Sequence, residues 1–285
     1  MLARTLLLSL SALMMTHPCA AQAVPQWREW NRDRAPFHIA GPLYYVGMGD
    51  ITSLLITTPQ GHILIDGGFA ESAPFILAHV EKLGFKPADI RLLLCTHGHS
   101  DHAGGLAQLK AITKAKLCAG QGDVALLARG GRQDFAFGDA NLFPPVTVDV
   151  PVKDGQELSL GGLTLRAVAT PGHSRGCTAW TCTVQENGKS LHVVMIGGMS
   201  APDYKLVNNP EYPQITRDFL STFERLRALP CDIPLEGHGF FFGLEEKAAG
   251  RRSFIDPKGY QASIDRAEQA FRVQLQRQQD AGTKH

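Results

Sequence analysis

The segment that most restricts the fold is Thr96-His97-Gly98-His99-Ser100-Asp101-His102, which directly follows an apolar run over residues 90–95. Four side chains able to bind a metal fall within six residues at a strand-to-helix junction. Positions two apart on extended chain share a side, so His97 and His99 can meet one ion. Gly98 leaves the backbone free to turn between them. Asp101 and His102, where a helix begins, point toward a neighbouring position able to take a second ion. This loop alone completes neither ion, because a catalytic zinc takes three protein ligands and keeps an open position for water. Two further histidines have the required setting. His173 in Thr170-Pro171-Gly172-His173-Ser174 follows an apolar strand, and His238 in Glu236-Gly237-His238-Gly239 follows another. Three strand-end loops thus offer six ligands: His97, His99, His173, Asp101, His102 and His238. Of the 11 histidines, His38, His62, His79, His192 and His285 lack such spacing and read as surface or satisfied core residues.

Around these loops the pattern alternates. Strands are expected at 43–46, 51–57 and 62–65, separated by turn signals at Gly47, Gly49, Pro59 and Gly61. The period then changes, predicting a helix over 74–83, a strand over 90–95, a helix over 102–111 and a strand over 116–119. Residues 129–145 carry glycines, prolines, Phe135, Phe137 and Phe143 without periodicity, and irregular stretches of that length are usually functional or disordered. Strands follow at 156–160, 163–169, 178–184 and 191–196, then a helix over 215–229 and a short strand over 233–235. The tail over 260–278 has Ile264, Ala267, Ala270, Phe271 and Leu275 at helical spacing, which reads as a helix covering a sheet. The whole is an α/β arrangement with helices packed over sheet.

A length of 285 residues suits one large domain. Its 28 basic and 27 acidic residues are scattered and give a net charge of +1, which leaves no basic stripe to track phosphates and excludes nucleic acid as an expected partner. Arg4, an apolar run over 6–15, Pro18 and the closing Ala21-Gln22-Ala23 have the layout of a secretory signal peptide. Residues 1–23 are therefore expected to be removed and residues 24–285 to form the mature domain, periplasmic and free of the membrane, since no segment approaches the roughly 20 apolar residues of a spanning helix. In an oxidising compartment disulfides are permitted. Cys177 and Cys182, close in sequence, are the expected pair. Cys95 and Cys118 end apolar runs and read as buried small hydrophobes.

His97-x-His99-x-Asp101-His102 with His173 and His238 resembles the metallo-β-lactamase superfamily, over about residues 43–252. The resemblance implies a four-layer αββα sandwich and a metal-dependent hydrolase. Asp66-Gly67-Gly68 is similar to a superfamily motif whose aspartate supports the metal loop from behind. The superfamily also holds glyoxalase II-like thioesterases, lactonases and nucleases, in which an aspartate bridging both metals ends the strand that here reads Val193-Val194-Met195-Ile196-Gly197-Gly198. Its absence points to the β-lactamase branch, subclass B3. That resemblance implies two zinc ions, one on His97, His99 and His173 and one on Asp101, His102 and His238, with Asp101 also orienting the attacking water. Segments such as Leu126-Leu127-Ala128-Arg129-Gly130-Gly131 and Ser200-Ala201-Pro202-x-Tyr204 extend the likeness. It places Phe137 on the substrate groove and Ser200 on the carboxylate of a small-molecule β-lactam, whose amide bond would be opened to give antibiotic resistance. Two positions depart from the subclass pattern: Gly198 stands where many members have a serine, and no cysteine follows Cys231 to pair with it. A serine mechanism is not expected, because no lysine or spare histidine has the spacing to activate Ser100. The alternative is a secreted lactonase or thioesterase using the same metals.

Overall fold

The structure is a computed structural model that describes residues 26–282, so the expected export signal at residues 1–23 lies outside the described residues. Two sheets form the centre. The first has the order β1 (Phe37–Ala40), β2 (Leu43–Tyr45), β3 (Leu54–Thr58), β4 (Gly61–Ile65), β5 (Ile90–Cys95), β6 (Lys116–Gly120), β7 (Val150–Val152). It begins as an antiparallel meander and becomes parallel from β4 onward. The second sheet contains β8 (Glu157–Leu160), β9 (Leu163–Ala169), β10 (Thr178–Glu186), β11 (Lys189–Ile196) and β12 (Ile233–Glu236) in the order β12-β11-β10-β9-β8. Its pairs are antiparallel except β11 with β12. The helices are α1 (Gln26–Trp30), α2 (Ala73–Lys82), α3 (Ser100–Ala103), α4 (Leu106–Thr113), α5 (Val124–Ala128), α6 (Ile215–Arg227), α7 (Gly239–Phe242), α8 (Leu244–Ala248) and α9 (Pro257–Gly282).

Side-chain alternation builds the layers. In β4, Ile63 and Ile65 join Leu94, Leu165, Trp180 and Val193 between the two sheets. Leu64 lies between them in sequence and so points the other way, onto Ile76, Val80, Leu106 and Leu109 of α2 and α4. Both faces of these strands are covered, which is why they read as unbroken apolar runs. On the far side, Val168, Ala179 and Val194 pack against Phe219, Phe223, Tyr260, Ile264 and Phe271 of α6 and α9. In α6 the buried positions Ile215, Phe219, Thr222, Phe223 and Leu226 recur every three or four residues, the stripe that docks a helix. The result is the expected four-layer αββα sandwich.

Cross-sheet hydrogen bonds hold the strand ends that matter at one edge. The Trp180 indole N–H donates to Cys95 O at 3.2 Å, and the Thr178 N–H donates to Thr96 O at 2.8 Å. The Thr52 N–H donates to Gly237 O at 2.9 Å. The ends of β5 and β12 and the loop before β10 therefore face one cleft.

Several elements differ from expectation for physical reasons. The helix expected over 102–111 is split into α3 and α4 at Gly104-Gly105, where the chain runs against the Gly67 to Ala70 backbone and a Cβ on Gly104 would lie 2.9 Å from Phe69 C. Ile51 makes an isolated bridge to His238 instead of extending β3. β7 contains Pro151 and sits at the sheet edge, where a missing N–H is tolerated. The expected Cys177–Cys182 disulfide is not formed, since both thiols are free. Cys182 lies within β10 and Cys177 just before it, and extended chain at about 3.3 Å per residue separates them by about 16 Å. A disulfide needs Cα atoms about 4.4–6.8 Å apart. Cys182 joins the core between the sheets, while Cys177 lies on the Gly198 carbonyl.

Candidate metal centre

All six expected ligands converge on the cleft. His97 and His99 extend from the end of β5, and Asp101 and His102 stand in α3. His173 occupies the turn between β9 and β10, and His238 immediately precedes α7. Gly172 makes that turn with φ +134°, a conformation that side chains rarely adopt. The rings of His97, His99 and His173 lie 4.7–4.8 Å apart between centroids.

The tautomers follow from the partners. The Nδ1–H of His173 donates to Ser200 O at 2.7 Å, which leaves Nε2 with its lone pair directed at His99 Nδ1, 3.2 Å away. His97 Nε2 is buried with no hydrogen-bond partner among the described residues. In the second group, Asp101 Oδ2 lies 3.5 Å from His102 Nε2 and 3.2 Å from His238 Nε2. The ligand atoms of His97, Asp101 and His102 also fall within 4.8 Å of one another, as do those of His97, His99 and His173, so the two groups share a border at His97.

Electrostatics suit a cation. Burial, reinforced by neighbouring imidazoles, holds His97 and His99 well below the usual histidine range. Burial pushes His173 down to about 4, against the raising effect of its bond to Ser200. Burial acts to raise Asp101, but the His102 charge and the His238 bond outweigh it and hold the carboxyl far below its usual range. For His238 burial acts downward, and the hydrogen bonds to Asp101 and Asp50 reverse it, raising the ring to about 9.

The geometry fits zinc. With Zn–N bonds of about 2.0–2.1 Å, the ligand atoms of a tetrahedral site stand about 3.3 Å apart. The observed separations of 3.2 and 3.5 Å straddle that value. Buried nitrogens without hydrogen-bond partners are costly unless something satisfies them, at roughly 1–3 kcal/mol each. A donor set of imidazoles with one carboxylate is what zinc takes.

Carboxylates behind the ligands fix them in place. Asp66, in the left-handed region at φ +61°, accepts the Thr96 N–H and Thr96 hydroxyl at 2.7 Å each, and its Oδ2 is 3.3 Å from His102 Nδ1. Asp50 pairs with His238 Nδ1 at 2.9 Å and accepts the Phe240 N–H at 2.9 Å. Asp123 and Asp134 serve the other loops. Asp134 Oδ1 accepts the N–H groups of Ala136 and Phe137, and Oδ2 lies 3.8 Å from His99 Nε2. The sequence reading identified Asp66 and missed Asp50, Asp123 and Asp134, which lie outside any metal motif.

The cleft has a volume of about 670 Å³. Its floor is the histidine cluster, and its walls are Trp27, Trp30, Phe69, Phe137, Leu142, Phe143, Phe240 and Phe241. Phe137 stands 5.3 Å from the His99 ring, and Trp30 lies 4.9 Å from the His238 ring. Ser200 lines the same cleft. Glu236, also on its lining, is pushed up to about 7 by burial and accepts the Ser263 hydroxyl of α9. No helix of the described residues is long and apolar enough to cross a membrane.

Comparison with known proteins gives the following. The metallo-beta-lactamase superfamily profile matches residues 46–185. A metallo-β-lactamase from Cronobacter sakazakii with a HARLDQ motif is 42% identical, with TM-score 0.86 over 89% of this chain and 99% of that one. Native FEZ-1 metallo-β-lactamase from Legionella gormanii is 40% identical, with TM-score 0.85 over 87% and 98% of the two chains. BJP-1, a subclass B3 metallo-β-lactamase of Bradyrhizobium japonicum, is 36% identical, with TM-score 0.84 over 89% and 98%. Among curated relatives, hydroxyacylglutathione hydrolase of Rhodopseudomonas palustris strain BisB18 is 30% identical over 171 residues, 60% of this chain and 55% of that protein. The chain thus spans about half the length of that relative.

Proposed function

We propose, from the premise that this chain belongs to the metallo-β-lactamase superfamily and resembles its subclass B3 members over nearly their full length, that it hydrolyses the amide bond of β-lactam antibiotics with two zinc ions. The observation that carries this choice over a thioesterase or lactonase is the Gly197-Gly198 pair at the end of β11. Neither residue offers the carboxylate that would bridge two metals. A Cβ on Gly197 would lie 2.9 Å from Cys177 Sγ and 3.0 Å from Thr96 Cβ, and one on Gly198 would overlap the His173 ring. The hydroxyacylglutathione hydrolase likeness covers a smaller share of both chains.

In this reading His97, His99 and His173 would hold the first ion, and Asp101, His102 and His238 the second. Zinc held there would supply Lewis acidity, lowering the pKa of water to about 7 so that no side-chain nucleophile is needed. Asp101 orients that water by accepting its hydrogen. Ser200 holds the substrate carboxylate through its hydroxyl, beside the His173 ring that its carbonyl fixes. Phe137 and Trp30, on the cleft walls, pack against the body of the substrate and exclude bulk water. Export through residues 1–23 would place the enzyme in the periplasm, where β-lactams meet their targets.

Chelation tests the reading. Hydrolysis of a carbapenem should vanish with EDTA, return with added zinc, and persist in clavulanate, which must acylate a serine to inhibit. Loss of activity in clavulanate would contradict it.

A further inference from the structure

We infer that Asp123 is a positioning residue that assembles the first metal group by tying the His97–His99 turn to the His173 turn. This inference rests on the two-ion reading above. Asp123 ends the short turn after β6 and is 1% exposed. Its Oδ2 accepts the Gly98 N–H at 2.9 Å and the Ser174 hydroxyl at 2.5 Å, and its Oδ1 accepts the Gly176 N–H at 2.7 Å. Gly98 stands between His97 and His99, and Ser174 follows His173. One carboxylate therefore sets the spacing between two loops that belong to different sheets. The packing leaves no slack, because a Cβ on Gly176 would lie 2.8 Å from the Asp123 carboxyl carbon and one on Gly98 3.0 Å from Leu126.

The charge adds to the argument. No lysine or arginine among the described residues forms an ion pair with Asp123, so a buried carboxylate is balanced by hydrogen-bond dipoles alone. Burial of an unpaired charge is unfavourable. A cation held by the adjacent imidazoles offsets that cost, which couples Asp123 to the first ion by charge as well as by position. The second group has its own anchor in Asp50, which pairs with His238 Nδ1.

Outer partners of metal ligands typically change affinity by about 10- to 100-fold. The test is a titration of the metal-free protein with Co²⁺, read by visible d–d absorption, with His173→Ala and His238→Ala assigning each step to a group. Ser174→Ala removes one bond without touching the carboxylate. Asp123→Asn removes acceptor capacity and charge together. Both should weaken the first step by about 10- to 100-fold and leave the second within about threefold. Asp50→Asn should give the reverse, a crossed pattern that general loss of stability cannot produce. If Asp123→Asn does not fold, Ser174→Ala with an unchanged metal-free melting temperature carries the test. Wild-type affinity at both steps in Ser174→Ala, or equal weakening of both, overturns the inference. A wild type that takes up fewer than two ions overturns the two-ion reading, and the inference with it.

Discussion

Asp101 Oδ2 lies 3.2 Å from His238 Nε2 and 3.5 Å from His102 Nε2, so one oxygen serves both imidazoles while its negative charge balances the group. Asp101→Asn keeps the shape and removes the charge. It should leave the melting temperature of the metal-free protein within a few degrees and lower kcat roughly 100-fold or more; a kcat near wild type would remove Asp101 from the chemistry. The cysteines give a second check at this scale. Alkylation of the native, non-reduced protein after unfolding should find Cys177 and Cys182 both free, and a peptide linking them would contradict the strand geometry. The candidate ligands of the 97–102 cluster are legible because a metal imposes a local spacing, two residues on extended chain and then one helical turn. Asp50 and Asp123 were not, because a lone acid beside a glycine has the same sequence signature as a turn residue. Asp66 was recognised through its Gly67-Gly68 neighbours.

Among the elements, the turn that carries His173 depends on its neighbour α6. Gly172 has φ +134°, and a Cβ there would lie 2.8 Å from the Phe219 ring. Gly172→Ala should cost about 1–3 kcal/mol from the backbone alone, read as a lower urea midpoint with unchanged slope; an unchanged midpoint would contradict the packing. The loop over 129–145 behaves differently. Its Phe137 forms a wall of the cleft and touches no predicted reacting atom, so Phe137→Ala should raise KM more than it lowers kcat, the pattern of lost uniform binding. Equal kcat and KM to wild type would take Phe137 off the substrate. Sequence periodicity recovered the long buried strands and the helices α2, α6 and α9, whose apolar stripes are strong. It missed β1 and β7, which are short edge strands, and it ran α3 into α4 across Gly104-Gly105, a pair that itself signals a break and whose contacts with the 67–70 backbone enforce it.

For the whole molecule, two sheets and their helices bring three distant loops to one edge, and in the proposed two-zinc reading the ions would close that edge. Metal binding is therefore part of the stability. At a thousandfold excess over Kd each ion adds about 4 kcal/mol, so stripping both should lower the melting temperature by roughly 10 °C or more. A melting curve unchanged by chelator would mean the histidine cluster holds no ion. The fold class was readable from the alternation of elements, and the αββα layering was implied by the resemblance. The reaction is where the sequence says least, because by the resemblance thioesterases and lactonases share the histidine cluster and differ at one bridging aspartate. The most direct measurement is kcat/KM for a carbapenem, a cephalosporin, a penicillin, a homoserine lactone and a glutathione thioester on one zinc-replete sample. The account predicts that the β-lactams exceed the lactone and thioester by about 100-fold or more, an advantage of roughly 2.7 kcal/mol in the transition state. Rapid opening of the lactone or thioester with the β-lactams left intact would contradict it.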